Sequence, residues 1–375
     1  MNKNFTSQDP IRVLHVVTTM NRGGLETMLM NYYRHINRKK LQFDFLVHRE
    51  EKSDYEKEIN MLGGKVFRLS KLNPFSIYYK NELYNFFHNH PEYLIVHVHQ
   101  DCLSSIALKE AYRSHVPVRI AHSHNAQQDL NLKYLIKNCF MKFIPQYATH
   151  LFACGKDAGD WMFRGKDYIV LNNAINTKKF TYNVEKKREV RNSLNLTNEI
   201  VIGHIGRFDK QKNHDFLIEV FNQVNRLDKN TRLCLVGQGK LEKEIKEKVK
   251  KLGLHDKVLF LGKRDDINEL LQAMDVFVFP SLFEGLPVTL IEAQASGLPI
   301  IKSENVSKQC IITPNVFTLS LNDSPLKWAQ KILEINKVFK RKDTAQYIIN
   351  NHYDINENAK WLENFYLNEV KKHAR

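Results

Sequence analysis

A chain of 375 residues is too long for one hydrophobic core and suits two domains. Its 43% hydrophobic and 26% charged residues are those of an ordinary folded protein, and no apolar run nears the roughly 18 residues that cross a bilayer. The excess of 56 basic over 41 acidic residues, a net charge of +15, favours an acidic partner; without an RNP, zinc-finger or basic-zipper pattern, nucleic acid ranks behind anionic lipid and a diphosphate-bearing substrate.

The opening MNKNFTSQDPIRVLHVV has only a short apolar stretch, broken by Arg12 and His15, which is not a signal-peptide architecture; a cytoplasmic location is expected. The five cysteines lie far apart with no CxxC pair and read as thiols rather than a disulfide or zinc framework. Apolar runs predict strands at 11–17, 43–47, 93–98, 116–121, 150–153 and 168–171, with amphipathic helices at 26–36, 55–62 and 103–113. The alternation resumes with strands at 200–205, 232–236, 258–261, 276–279 and 298–301 and helices at 216–226, 241–251 and 267–274. Such alternation means parallel sheets covered by helices. The polar stretch 176–198, with its charge cluster EKKREVR, marks a break. The expected architecture is α/β: two Rossmann-like, doubly wound domains, 1–175 and 176–350, facing across a cleft at the carboxyl ends of their strands. Residues 351–375 hold an amphipathic helix at 356–371, with Trp361, Phe365 and Tyr366, expected to return to the first domain.

Five segments carry candidate chemistry. Asn21–Glu26, NRGGLE, follows the first strand; its Gly23–Gly24 pair permits close backbone approach, but it is not GxGxxG, which disfavours a nicotinamide enzyme. His97 and His99 in VHVHQD, and His122 and His124 in AHSHN, alternate at strand ends with Asp101 nearby. Without HExxH or a cysteine partner, a histidine contacting substrate is preferred over a metal site. Segments 73–90 and 132–147 mix aromatic, aliphatic and basic residues, a composition suited to an anionic membrane surface, though core-facing helices explain either one alone. Gly203–Asn213, GHIGRFDKQKN, sets Arg207 and Lys212 in a loop between strand and helix, where a guanidinium fork and a mobile ammonium suit a diphosphate. Phe283–Pro299, FEGLPVTLIEAQASGLP, starts a helix after the strand VFVF. Its first amides, at Gly285, Leu286, Val288 and Thr289, would face an anion, with Pro287 in the first turn and Gly297 as C-terminal cap. Glu284 and Glu292 cannot bind phosphate but can bind sugar hydroxyls, so the segment points to a sugar nucleotide.

In this order the motifs resemble those of the retaining family-four glycosyltransferases of the GT-B fold, in the branch that builds bacterial capsular and exopolysaccharides. NRGGLE resembles the family's Gly-Gly-x-Glu loop, GRFDKQKN its Gly-Arg-x(4)-Lys-Asn phosphate loop, LVGQGKLE its Val-Gly-x-Gly turn and FEGLPVTLIEA its Glu-x7-Glu element. The resemblance implies that Arg207 and Lys212 hold the donor diphosphate and that Glu292 binds the ribose. Glu284 would hold the donor sugar, with the Gly285 and Leu286 amides and the helix start at Val288 nearby, and Lys263–Arg264 would contact the base. Gly23 and Gly24 would let the first domain close over the donor. The strand-end histidine near the transferred sugar maps best to His124, with His122 as the other candidate. Two departures stand out: NAIN (Asn173–Asn176) replaces the usual Asn-Gly-Val-Asp at the domain crossover, and IKSENVSKQCIITP (Ile301–Pro314) lacks the usual glycines.

The expected reaction is transfer of a sugar, with retention, from a nucleoside diphosphate to a hydroxyl of a growing lipid-linked saccharide. UDP is favoured over GDP, and undecaprenyl diphosphate is the expected lipid carrier. No metal or other cofactor is expected, since Arg207, Lys212 and the helix start supply the positive charge. Two rivals are a GT-B sugar-nucleotide epimerase, which needs no acceptor, and a basic membrane-surface scaffold with a vestigial nucleotide site.

Overall fold

A computed structural model describes residues 9–125 and 132–373, with the side chains of 132–135 left aside. The expected membrane segment 132–147 therefore lies partly outside the described side chains. Two compact units form: one takes the chain up to Ala174 and resumes at Ile355, and the other is Ile175–Asp354.

The first unit holds seven parallel strands: β1 (Ile11–Val16), β2 (Leu41–Val47), β3 (Val66–Arg68), β4 (Ile95–Val98), β5 (Val118–Ser123), β6 (His150–Ala153) and β7 (Ile169–Val170). They lie in the order β3-β2-β1-β4-β5-β6-β7. Strand periodicity sorts the side chains onto two faces. Val13 and Val17 enter one core with Phe43 and Phe45, while Leu14 and Val16 enter the other with Tyr79 and Leu83. Both faces are buried, as a parallel sheet requires.

The second unit holds six: β8 (Ile200–Ile205), β9 (Thr231–Val236), β10 (Val258–Phe260), β11 (Val276–Phe279), β12 (Ile300–Ser303) and β13 (Val316–Leu319), ordered β10-β9-β8-β11-β12-β13. Phe277 and Phe279 face one core and Val276 and Val278 the other. In both sheets the order reverses beside the first strand, β1 or β8. That is the switch point outside whose carboxyl ends α/β sheets bind ligands.

Two strands escape the sequence pattern, β3 and β13. In each, a polar residue, Arg68 or Thr318, interrupts the apolar run after two residues.

The final helix, Ile355–His373, sets Ile355, Ala359, Leu362, Tyr366 and Val370 on one stripe in the first unit's core. Burying each of the larger side chains contributes roughly 1.5–3 kcal/mol. Trp361 stays 43% exposed and stacks on Phe365 instead.

The NAIN departure has a physical account. Asn176 caps the helix Thr177–Phe180, its side chain accepting from the Lys179 amide, and asparagine serves as N-cap about as well as aspartate. Ala174 lies outside the left-handed region, so this backbone does not require glycine there.

Candidate functional site

In the second unit the site is built on the ends of β8 and β11. Past β8 the chain turns through Gly206 and Arg207 into a short 3-10 helix, Lys210–Lys212, and then the helix His214–Leu227. Asp209 organises this loop: its carboxylate accepts from the Lys212 amide at 3.2 Å and from Arg207 Nε at 2.7 Å. Arg207 is 74% exposed, so its guanidinium can exchange Asp209 for an incoming anion at little cost. Lys212 is nearly buried. Its ammonium lies 4.9 Å from the centroid of the Phe279 ring and donates to Glu284. The glycine-rich turn after β9 belongs to the same assembly, since a Cβ at Gly237 would stand 2.1 Å from the Gly206 carbonyl oxygen. Arg264, expected at the base, is engaged by Asp266 at 2.8 Å.

After β11 the chain runs through Glu284 and Gly285 to the helix Val288–Ala295. Pro287 stands one position earlier than expected: it is the N-cap, with extended backbone, and Val288 is the first helical residue. Among the described residues nothing accepts from the amides of Gly285, Val288 or Thr289. These donors and the helix dipole favour an anion. Gly297, with φ +68°, ends the helix in the left-handed conformation.

The two glutamates differ in kind. Glu284 is paired with Lys212, and its backbone bridges Val306 and accepts from the Ser307 amide at 3.1 Å. Glu292, one helical turn into the helix, is 8% exposed. No described residue gives its carboxylate a hydrogen bond or an opposite charge, and burial pushes its pKa up to about 7.

Sequence reading missed what carries the glycine-free segment after β12. Buried Lys302 donates to the Val306 and Ser303 carbonyls at 2.8 and 3.2 Å, closing the turn beneath Glu284's bridge partner. Gln294 donates to the Cys310 carbonyl and accepts from the Ile312 and Thr313 amides, pinning the segment to the helix. Nothing in a single polar residue within an apolar helix announces that role.

In the first unit Gly23 caps the helix Gly24–His35. A Cβ at Gly23 would meet the Glu26 carboxylate at 2.4 Å, whereas one at Gly24 would meet nothing within 4 Å. Gly24 thus leaves backbone open for an approaching group. His122 and His124 lie at the end of β5, His122 fully buried and His124 half-buried. Asp101 fixes this strand end, accepting from the His124 amide at 3.4 Å and from Asn125 Nδ2 at 2.6 Å. His97, His99 and a histidine not singled out from sequence, His15, join the same face. Two triplets, His15/His97/His99 and His99/His122/His124, have ring nitrogens within 4.8 Å of one another, close enough to consider a metal. Period-two placement in β1 was the signal that could have added His15.

The sequence profile of the family described as "Glycosyl transferases group 1" matches residues 186–355. The putative glycosyltransferase EpsF of Bacillus subtilis (strain 168) is 35% identical over 380 residues, covering 97% of this chain and 98% of the relative. The chain belongs to the group 1 glycosyltransferases. The capsular polysaccharide biosynthesis glycosyltransferase CapH of Staphylococcus aureus is 24% identical over 96% of this chain and 99% of its own. The UDP-Gal:alpha-D-GlcNAc-diphosphoundecaprenol alpha-1,3-galactosyltransferase of Escherichia coli matches a shorter stretch, 34% identical over 41% of each chain. Among solved structures, Anabaena HepE in complex with UDP superposes with a TM-score of 0.80 at 16% identity, over 95% of this chain and all of that one. This group 1 glycosyltransferase has the GT-B fold.

Proposed function

We propose that this glycosyltransferase moves a sugar from a nucleoside diphosphate, UDP rather than GDP, to a hydroxyl of a growing lipid-linked capsular or exopolysaccharide saccharide, with retention at the anomeric carbon. The single observation that carries the reading is the Lys212–Glu284 pair set over Phe279 at the open N-terminus of the Val288 helix. An ammonium and unpaired amides suit a phosphate, and the adjoining carboxylate suits sugar hydroxyls. The naming of the galactosyltransferase relative, with its UDP-Gal and diphosphoundecaprenol, supports the choice of donor nucleotide and lipid carrier; that of CapH supports the choice of pathway.

On this reading Arg207 leaves Asp209 for the donor diphosphate, Lys212 lies against its distal phosphate, and Glu284 binds sugar hydroxyls beside the Gly285 and Leu286 amides. Buried Glu292 accepts from the ribose hydroxyls, which supply the hydrogen bonds its carboxylate lacks. As the glycosidic bond lengthens, negative charge grows on the leaving phosphate. Lys212, Arg207 and the helix N-terminus stabilise that charge without a metal or cofactor. The leaving phosphate takes the acceptor proton on the same face, so no side-chain nucleophile is needed. The first unit contributes His124 and the Gly23–Gly24 loop to substrate binding. Exposed Phe75, Ile77 and Tyr78, near Lys80, would rest on an anionic membrane on the cytoplasmic side.

The test is turnover of a panel of radiolabelled UDP- and GDP-sugars with undecaprenyl-diphosphate-linked saccharides. Product with a retained anomeric configuration, absent in Lys212→Ala and Glu284→Ala, is expected. Donor conversion without an acceptor, or full transfer by either variant, would overturn the assignment. Failure to bind anionic liposomes at low salt removes the membrane part alone.

A further inference from the structure

Five histidines of the first unit form two hydrogen-bonded ladders. In the first, His15 Nδ1 lies 3.0 Å from His99 Nε2, and His99 Nδ1 lies 2.9 Å from His124 Nε2. In the second, Tyr366 Oη lies 2.6 Å from His97 Nδ1, and His97 Nε2 lies 3.1 Å from His122 Nδ1. The first ladder runs from deep core to strand end. His15 is fully buried among Phe43 and Phe45, and its Nε2 has no partner among the described residues. His124 is the half-buried end, and no described residue partners its Nδ1.

Burial lowers the pKa of all five rings, so each is neutral and carries one proton. Every nitrogen-to-nitrogen contact then needs one N–H and one lone pair, and choosing one ring's tautomer sets the next. The choice is made at the closed end. A buried N–H without an acceptor is rarer in proteins than an unfilled lone pair. His15 therefore leaves Nε2 bare and donates from Nδ1 to His99 Nε2. His99 in turn donates from Nδ1 to His124 Nε2, and His124 carries its proton on Nδ1. A shared zinc fits less well: bonds of 2.0–2.1 Å place tetrahedral ligands about 3.3 Å apart with lone pairs aimed at one point. These nitrogens instead oppose one another at 2.9–3.1 Å.

We propose that His99, itself held by the closed inner end at His15, is a positioning residue that locks His124 in its Nδ1–H tautomer, so that the strand end offers a substrate oxygen a hydrogen-bond donor rather than an acceptor. The inference rests on the substrate-binding role given to His124 above. It also gives a reason for two buried histidines, His15 and His99, at positions where Leu or Phe would pack.

The experiment is long-range proton–nitrogen NMR of the full chain with nitrogen-15 histidine, in the wild type, His99→Phe and His99→Asn. Phenylalanine keeps the ring volume and removes the donor that faces His124 Nε2; asparagine restores an N–H close to the Nδ1 position. His124 should be protonated on Nδ1 in the wild type and in His99→Asn, and on both nitrogens in exchange in His99→Phe, because its half-buried ring can hydrate either nitrogen. kcat should fall about tenfold in His99→Phe, the scale of one lost neutral hydrogen bond, with donor KM nearly unchanged and His99→Asn recovering most of the loss. Protonation of wild-type His124 on Nε2 would overturn the proposal even if His99→Phe does not fold. So would a His99→Phe protein matching the wild type in spectrum and kcat, or a zinc titration that removes the ladder's exchange pattern at stoichiometric metal. If the spectra follow the expected pattern but no sugar is transferred by any form, the proposed function fails and the ladder stands.

Discussion

Replacing Glu292 by glutamine isolates the most unusual group in the second unit. The carboxyl is 8% exposed, without a charge partner among the described residues, and burial raises its pKa from 4.5 to about 7. Because the folded-state pKa exceeds the unfolded one, the folded protein binds the proton more tightly between pH 4.5 and 7. Stability therefore falls as pH rises through that window, and the loss is complete above it. At 1.36 kcal/mol per pKa unit, the full cost is roughly 3 kcal/mol. Glutamine carries no charge, so Glu292→Gln should match the wild type near pH 4.5 and exceed it by up to about 3 kcal/mol at pH 8.5, less whatever its buried amide costs. Urea unfolding at pH 5, 7 and 8.5 measures this. UDP should reverse the ranking. If ribose hydroxyls donate to the carboxylate, the variant loses charge-assisted hydrogen bonds of roughly 1.5–3 kcal/mol, about 10- to 150-fold in Kd by calorimetry at pH 8. Wild-type affinity should rise between pH 6 and 8 as binding expels the proton. A stability gap independent of pH would refute the burial argument; unchanged UDP affinity would refute the ribose assignment.

Further outcomes are expected. Lys212→Ala leaves Glu284 short of its partner and should cost roughly 1–3 kcal/mol in thermal unfolding, with transfer falling about 10²–10³-fold; the Lys212→Ala/Glu284→Ala double variant should recover stability but no activity, and recovery of transfer would sink the pairing role. Arg207→Ala, at an exposed position, should leave unfolding within about 0.5 kcal/mol while transfer falls by a similar factor; a large stability loss would show a structural role instead. Asn176→Ala should destabilise by about 1 kcal/mol, and Asn176→Asp should be close to neutral, by urea unfolding. Asp44→Ala leaves Arg12, bound to it twice at 2.5 Å, facing a hole also lined by Tyr93, and should cost about 3–5 kcal/mol; a loss under about 1 kcal/mol would mean water replaces the pair.

Local rules made much of this protein legible from its residues alone. Apolar runs bounded by turn residues located most strands: 150–153, 200–205 and 276–279 coincide with β6, β8 and β11. Strand–helix alternation then led to parallel sheets, because each run must bury both faces. The sequence put Arg207, Lys212 and Glu284 in loops just past strands, which a parallel sheet brings to one edge; that those strands, β8 and β11, are neighbours came from the tertiary structure. What sequence could not supply were relations between residues far apart in the chain. Asp209 occupying Arg207, Phe279 beneath Lys212, and Lys302 closing the turn under Glu284 all depend on how β8, β11 and β12 stack side by side. The missing partner of Glu292 is a property of the surrounding core and of no single motif. The histidine ladder likewise needs β1, β4 and β5 adjacent and the final helix laid across them. Spacing in sequence sets which face a side chain takes; only the assembled sheet sets what that face meets.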